Sequence, residues 1–82
     1  MSHGEVLIDD DQLLLKWEDR GAAWSIRTKE NDNVEVVVCD TWDYPKVRPM
    51  SQKHIALLKD LVRDRFAQED TSVRFVTVEE DE

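Results

Sequence analysis

Apolar residues recur at spacings of three and four over residues 51–68. Ile55, Leu58, Val62 and Phe66 share one side, Leu57 and Leu61 widen the stripe, and Lys53, Lys59, Asp60, Arg63 and Asp64 fall mainly opposite. This is the signature of an amphipathic helix. Ser51 is suited to cap it, because a hydroxyl there accepts from an orphan amide of the first turn, and Met50 can pack on Ile55 as a staple. The rest of the chain alternates instead. Leu13, Leu15 and Trp17 interleave with Leu14, Lys16 and Glu18; Trp24 and Ile26 with Ser25, Arg27 and Lys29; Val34, Val36 and Val38 with Glu35, Val37 and Cys39. Val6 and Ile8 share a face in a further short run at Glu5–Asp9, and Val73 and Phe75 do so in a last one at 73–78.

Polar breaks separate these runs: Asp9-Asp10-Asp11, Glu18-Asp19-Arg20-Gly21 with Gly21 free to take a positive φ, Glu30-Asn31-Asp32-Asn33, and Glu69-Asp70-Thr71-Ser72. The short connections predict an antiparallel meander. Between the meander and the helix lies Thr41-Trp42-Asp43-Tyr44-Pro45-Lys46-Val47-Arg48-Pro49, which has no clean period and two prolines, the pattern of a crossing loop or irregular edge. The expected fold is α+β: a two-layer sandwich with an antiparallel β-meander packed on one long helix, in the order β-β-β-(β)-α-β, its last strand at an edge or at the sheet centre. The expected core is Leu13, Leu15, Trp17, Trp24, Ile26, Val36 and Val38 against Ile55, Leu58, Leu61, Val62 and Phe66. Parity within a strand follows from the pattern, but register between strands does not.

Eighty-two residues with 40% hydrophobic content suffice for one core, so residues 1–82 read as a single domain with frayed ends at 1–4 and 79–82. One cysteine forbids an internal disulfide and suits a reducing compartment; with no signal-peptide pattern and no long apolar run, a cytoplasmic location is expected. The formal charge of -8 opposes broad binding to nucleic acid or anionic lipid, whose affinity depends on clustered lysine and arginine.

Catalytic chemistry has little to work with. His3 and His54 are the only histidines, and Cys39 with His54 is the sole conceivable dyad, although Cys39 reads as a small apolar residue of a valine strand. One cysteine and two separated histidines cannot form a structural zinc site, Asp9–Asp11 lack the spacing of a calcium loop, and two glycines cannot build a phosphate loop. No enzyme, cofactor or metal is expected. Trp42 either caps one end of the core with Tyr44 over it, or joins Asp43, Tyr44, Lys46 and Arg48 in a partner-binding surface, since aromatics and arginine on an irregular segment are typical of interface hot spots.

Two functional classes follow. The first is a non-enzymatic protein-binding module, an inhibitor of the kind phages and mobile elements carry, whose 19 acidic residues against 11 basic engage a basic partner or imitate nucleic acid. The second is a single-stranded nucleic-acid binder reading through the open sheet face, with Lys16, Arg27 and Lys29 as a basic stripe. Over residues 22–66 the meander followed by WDYPKVRP and a helix resembles, in order of elements only, the single-stranded-DNA-binding coactivator domain called positive cofactor four. This chain has no glycine-lysine-rich run before its helix and adds a strand after it. A homodimer across an edge strand, 5–9 or 73–78, is compatible with either class.

Overall fold

The computed structural model describes residues 4–43 and 45–77. Four strands come first: β1 (Gly4–Asp9), β2 (Gln12–Trp17), β3 (Arg20–Glu30) and β4 (Asn33–Val38). A pair of two-residue strands, β5 (Thr41–Trp42) and β6 (Arg48–Pro49), leads to helix α1 (Gln52–Ala67), and β7 (Ser72–Thr77) ends the described chain. The expected α+β architecture is present: one helix lies on a five-stranded sheet of order β1-β2-β3-β4-β7, with β5 and β6 forming a separate ladder. The last strand lies at an edge and pairs with β4 in parallel, through a crossover that α1 supplies. Gly4 belongs to β1, opposite Trp17, so the ordered sheet begins inside the range expected to fray. Residues 1–3 and 78–82 lie outside the described residues.

Each of the first three connections is a two-residue hairpin loop, with Asp9 opposite Gln12, Trp17 opposite Arg20, and Glu30 opposite Asn33. In each, only the first central residue has a positive φ: Asp10 at 61°, Glu18 at 60° and Asn31 at 57°. Asp and Asn tolerate this region because their short polar side chains bond locally. In the second hairpin the left-handed residue is Glu18 and not Gly21, which sits in β3 with negative φ. The tight turn, Glu18-Asp19, falls where the strands run out of paired residues and ends two positions before the glycine.

The helix begins as its sequence predicts. Ser51 Oγ accepts from the His54 amide at 3.2 Å, and Met50 and Ile55 on either side of the cap are both buried. At the other end the Thr71 amide donates to the Phe66 carbonyl at 3.0 Å and the Asp70 amide to the Ala67 carbonyl at 3.0 Å, with Asp70 left-handed at φ 55°. These paired bonds are a Schellman motif.

Leu13, Leu15, Trp24, Ile26, Val36 and Val38 pack with Ile55, Leu58, Val62 and Phe66 as predicted; Ala22, Val34, Trp42 and Met50 complete the core. Trp17 and Leu61 are half-buried, while Leu57 is 39% exposed, so the helix inserts a narrower stripe than its sequence suggests. A Cβ on Gly4 would run into Leu61 and come within 2.7 Å of the Trp17 ring, so a side chain there would force the Leu61 and Trp17 side chains to move.

Candidate functional site

The segment expected as a partner surface divides. Trp42 is 1% exposed. The Asp43 amide donates to the Gly21 carbonyl at 2.7 Å and the Met50 amide to the Asp40 carbonyl at 2.9 Å, closing β5 and β6 over the end of the sheet. The Arg20 guanidinium lies 5.8 Å from the Trp42 ring centroid, and the His54 ring meets it edge-on at 5.8 Å. Trp42 is thus a core plug under two polar side chains, which removes it from the expected binding surface. Asp43, Lys46 and Arg48 are exposed; Tyr44 lies outside the described residues.

The basic stripe divides too. Ile26 opposes Val36 and Thr28 opposes Glu35, so Arg27 is an extra residue: a β-bulge. The bulge changes the phase of the strand. Arg27 stays on the uncovered face, where its Nε is 3.0 Å from Glu35 Oε1, but Lys29 pairs with Val34 and turns to the helix side, its Nζ 3.5 Å from the Asp10 carbonyl. Lys16, opposite Gly21, lies six positions from Arg27 along β3, about 20 Å at strand rise. Alternation alone placed the three together; the bulge and the register separate them. Trp24 is 1% exposed and donates from Nε1 to the Cys39 carbonyl at 3.0 Å, so it offers no open ring on the sheet surface.

The postulated dyad is not assembled among the described residues. β4 ends at Val38, so Cys39 is exposed and not a buried strand residue; its Sγ lies 3.0 Å from Thr41 Oγ1. His54 Nδ1 is 2.8 Å from Ser51 Oγ, within the helix cap. No charged or polar residue among those described is buried, and no three His, Cys, Asp or Glu side chains among them converge closely enough to hold a metal ion. No helix among the described residues is long and apolar enough to cross a membrane.

Topology gathers the acids that the sequence scatters. Because β1 and β3 run one way and β2 and β4 the other, the β1–β2 and β3–β4 turns lie at the same end of the sheet, and α1 delivers its C-terminus there. The Ser72 amide donates to the Asp32 carbonyl at 2.8 Å, joining the helix–β7 connection to the β3–β4 turn, and the Ile26 amide donates to the Asp11 carbonyl at 2.7 Å, joining the β1–β2 turn to β3. Asp9, Asp10 and Asp11, Glu30 and Asp32, and Glu69 and Asp70 therefore all lie toward one end of the sheet, the β3–β4 turn standing five residues of β3 beyond Ser25, the last residue paired to β2. Cations stand beside them: Lys29, Arg65, whose Nη1 is 2.7 Å from Glu69 Oε2, and Arg27 and Arg74, which approach Glu35 at 3.0 and 3.9 Å. The opposite end is mixed, with Glu18, Asp19, Asp40 and Asp43 beside Lys16, Arg20, Lys46 and Arg48.

No protein-family model, curated protein or solved structure matches the chain.

Proposed function

We propose that this chain is a non-enzymatic protein-binding module that docks a basic partner at the acidic end of its sheet. The observation that carries the reading is the convergence of three sequence-distant acidic turns toward one end of the sheet. Carboxylates outnumber cations at this end, which biases the negative field toward one pole, where it can orient an approaching positive surface before contact. The carboxylates project outward from separate turns instead of closing on one point, a geometry suited to an extended basic surface more than to a single ion. A module seated on a functional basic cleft would block it, and inhibition is the activity that follows.

The single-stranded nucleic-acid reading loses its support: the basic stripe is divided between two faces and Trp24 and Trp42 are buried. Titration of tryptophan fluorescence with single-stranded oligonucleotides at low salt is expected to show no saturable quenching.

The docking test compares two variants of matched charge against a partner captured at physiological salt, identified and reconstituted from purified components. Asp9→Asn, Asp10→Asn and Asp11→Asn together should weaken the complex roughly tenfold, mainly in its association rate. Glu18→Gln, Asp19→Asn and Asp40→Asn together, at the mixed end, should leave it within about twofold. Equal losses in both variants, or none in the first, would overturn the reading.

A further inference from the structure

We propose that the two free edges of the sheet, β1 and β7, pair with each other between copies of this chain, adding sheet to sheet in a head-to-tail array.

Residues 5–9 of β1 and the whole of β7 have no further strand beside them among the described residues, and neither carries a proline, lysine or bulge. Their charges are opposite. β1 bears Glu5 and Asp9 on the uncovered face and runs into Asp10 and Asp11. β7 bears Arg74 on that face. On the helix face its Phe75 ring has the Lys59 Nζ 5.5 Å and the Arg63 guanidinium 5.0 Å from its centroid. Two acids near this edge are engaged already: Asp60 lies 3.2 Å from Arg63, and Glu35 is held by Arg27 at 3.0 Å. Arg74 reaches Glu35 only at 3.9 Å, and its side chain is 80% exposed.

Pairing of like edges across a twofold is disfavoured by these charges. Centred on Leu7, β1 against β1 sets Glu5 opposite Asp9; β7 against β7 brings Arg74, Lys59 and Arg63 of both copies together. Pairing of unlike edges satisfies parity and gives Arg74 a carboxylate partner. β1 is antiparallel to β4 and β7 parallel to it, so a copy displaced sideways presents its β1 antiparallel to β7 with both helices on the same side. Setting Arg74 opposite Asp9 brings Val76 opposite Leu7 on the uncovered face, and Phe75 opposite Ile8 and Thr77 opposite Val6 on the helix face.

This register covers what each copy leaves open. Leu7, at 61% exposure, gains Val76, and the half-buried Ile8 and Phe75 cover each other. Five strands at about 4.8 Å space neighbouring helices by about 24 Å, more than a helix diameter of about 10–12 Å, so the helices do not collide. A heterologous contact repeated through the sheet twist does not close on two copies.

The test is sedimentation of the full chain in reductant, which keeps the exposed Cys39 from cross-linking. Wild-type protein should rise in mean mass through dimer and beyond between roughly 0.1 and 1 mM, the range of a weak contact this small. Asp9→Arg and Arg74→Glu, each checked for native circular dichroism, should each remain monomeric there. Their equimolar mixture should recover the rise in mean mass through dimer and beyond, because both of its mixed junctions again set unlike charges opposite each other. A wild-type protein monomeric throughout, or variants that associate as it does, would overturn the proposal. So would stronger self-association of Asp9→Arg, which relieves the Glu5–Asp9 clash and marks a β1 twofold.

Discussion

Glu18 occupies a position for which its side chain is poorly suited. As the first central residue of a two-residue hairpin it holds φ at 60°, where a Cβ crowds the following carbonyl, and Glu lacks the short local bonds that ease Asp10 and Asn31 in the equivalent turns. Glu18→Gly should therefore stabilise the fold by about 0.5–1 kcal/mol, relief of the left-handed strain outweighing the added freedom of the unfolded chain. A higher urea midpoint at unchanged slope is the expected result, and a lower midpoint would show that the glutamate has a compensating contact. Trp42 is the opposite case, a residue whose environment suits it fully. Trp42→Ala should cost about 3–5 kcal/mol, a large part of the total for a domain this small, measured by the same denaturation. Neither role could be read from the chain. A tryptophan in an aperiodic, proline-flanked segment has the same local sequence whether it plugs a core or faces a partner. What decides is the closure of β5 on Gly21, a contact twenty-two positions away. Gly21 drew attention as the residue able to turn left, yet the pairing of Trp17 with Arg20 had already ended the loop before it.

Among the elements, the bulge in β3 carries the largest consequence. Alternation in Ala22–Ile26 and Val34–Val38 identified the inward faces correctly, because period two is a local property of a half-buried strand. The same alternation carried on through Arg27 to Lys29 failed, because an extra residue is invisible in a single strand and appears only when its partner is counted against it. This makes a sharp prediction about deletions. Removing Arg27 leaves Ile26 opposite Val36, Thr28 opposite Glu35 and Lys29 opposite Val34, a regular ladder, at the expense of one exposed ion pair worth about 0.2–1 kcal/mol. Removing Ser25 instead forces either Trp24 or Ile26 out of phase with the core. The first variant should fold cooperatively with native cross-strand amide contacts at 28–35, and the second should not fold; similar behaviour of the two would show that the bulge is not where the strand absorbs length. The start of α1 was legible for the reason that the bulge was not: a cap is defined within four residues. Ser51→Ala should cost about 1 kcal/mol in thermal or chemical unfolding, with the helix intact but less stable.

The molecule as a whole holds its charge unevenly, and that arrangement has a thermodynamic signature separate from any partner. Composition gave the net charge but not its distribution, since the acids arrive in short runs 20 to 40 positions apart and become neighbours only through strand direction. Folding brings Asp9 to Asp11, Glu30, Asp32, Glu69 and Asp70 toward one end of the sheet, within a molecule of 12.4 Å radius of gyration. At about 0.01 M ionic strength the Debye length is about 30 Å, so these carboxylates repel one another across that whole end; at about 0.15 M it is about 8 Å, and the repulsion is confined to nearest neighbours. The unfolded chain separates the three runs and is relieved in either case. Sodium chloride added over this range should therefore raise the melting temperature by several degrees, on the scale of about 4–8 °C per kcal/mol for a domain this size. Asp9→Asn, Asp10→Asn and Asp11→Asn combined should melt higher than wild type at low salt and respond less to added salt, Asn retaining the local bonding that the left-handed position at 10 requires. The matched neutralisation of Glu18, Asp19 and Asp40, which lie among cations, should lower the low-salt melting temperature or leave it unchanged. If both variants respond to salt as wild type does, the carboxylates share no field and the acidic pole is only a feature of the map. If they diverge as described, the acidic end is held together against its own repulsion by the hairpin turns and the helix terminus. A docked cation-rich surface would then relieve that strain, coupling binding at this end to the stability of the fold.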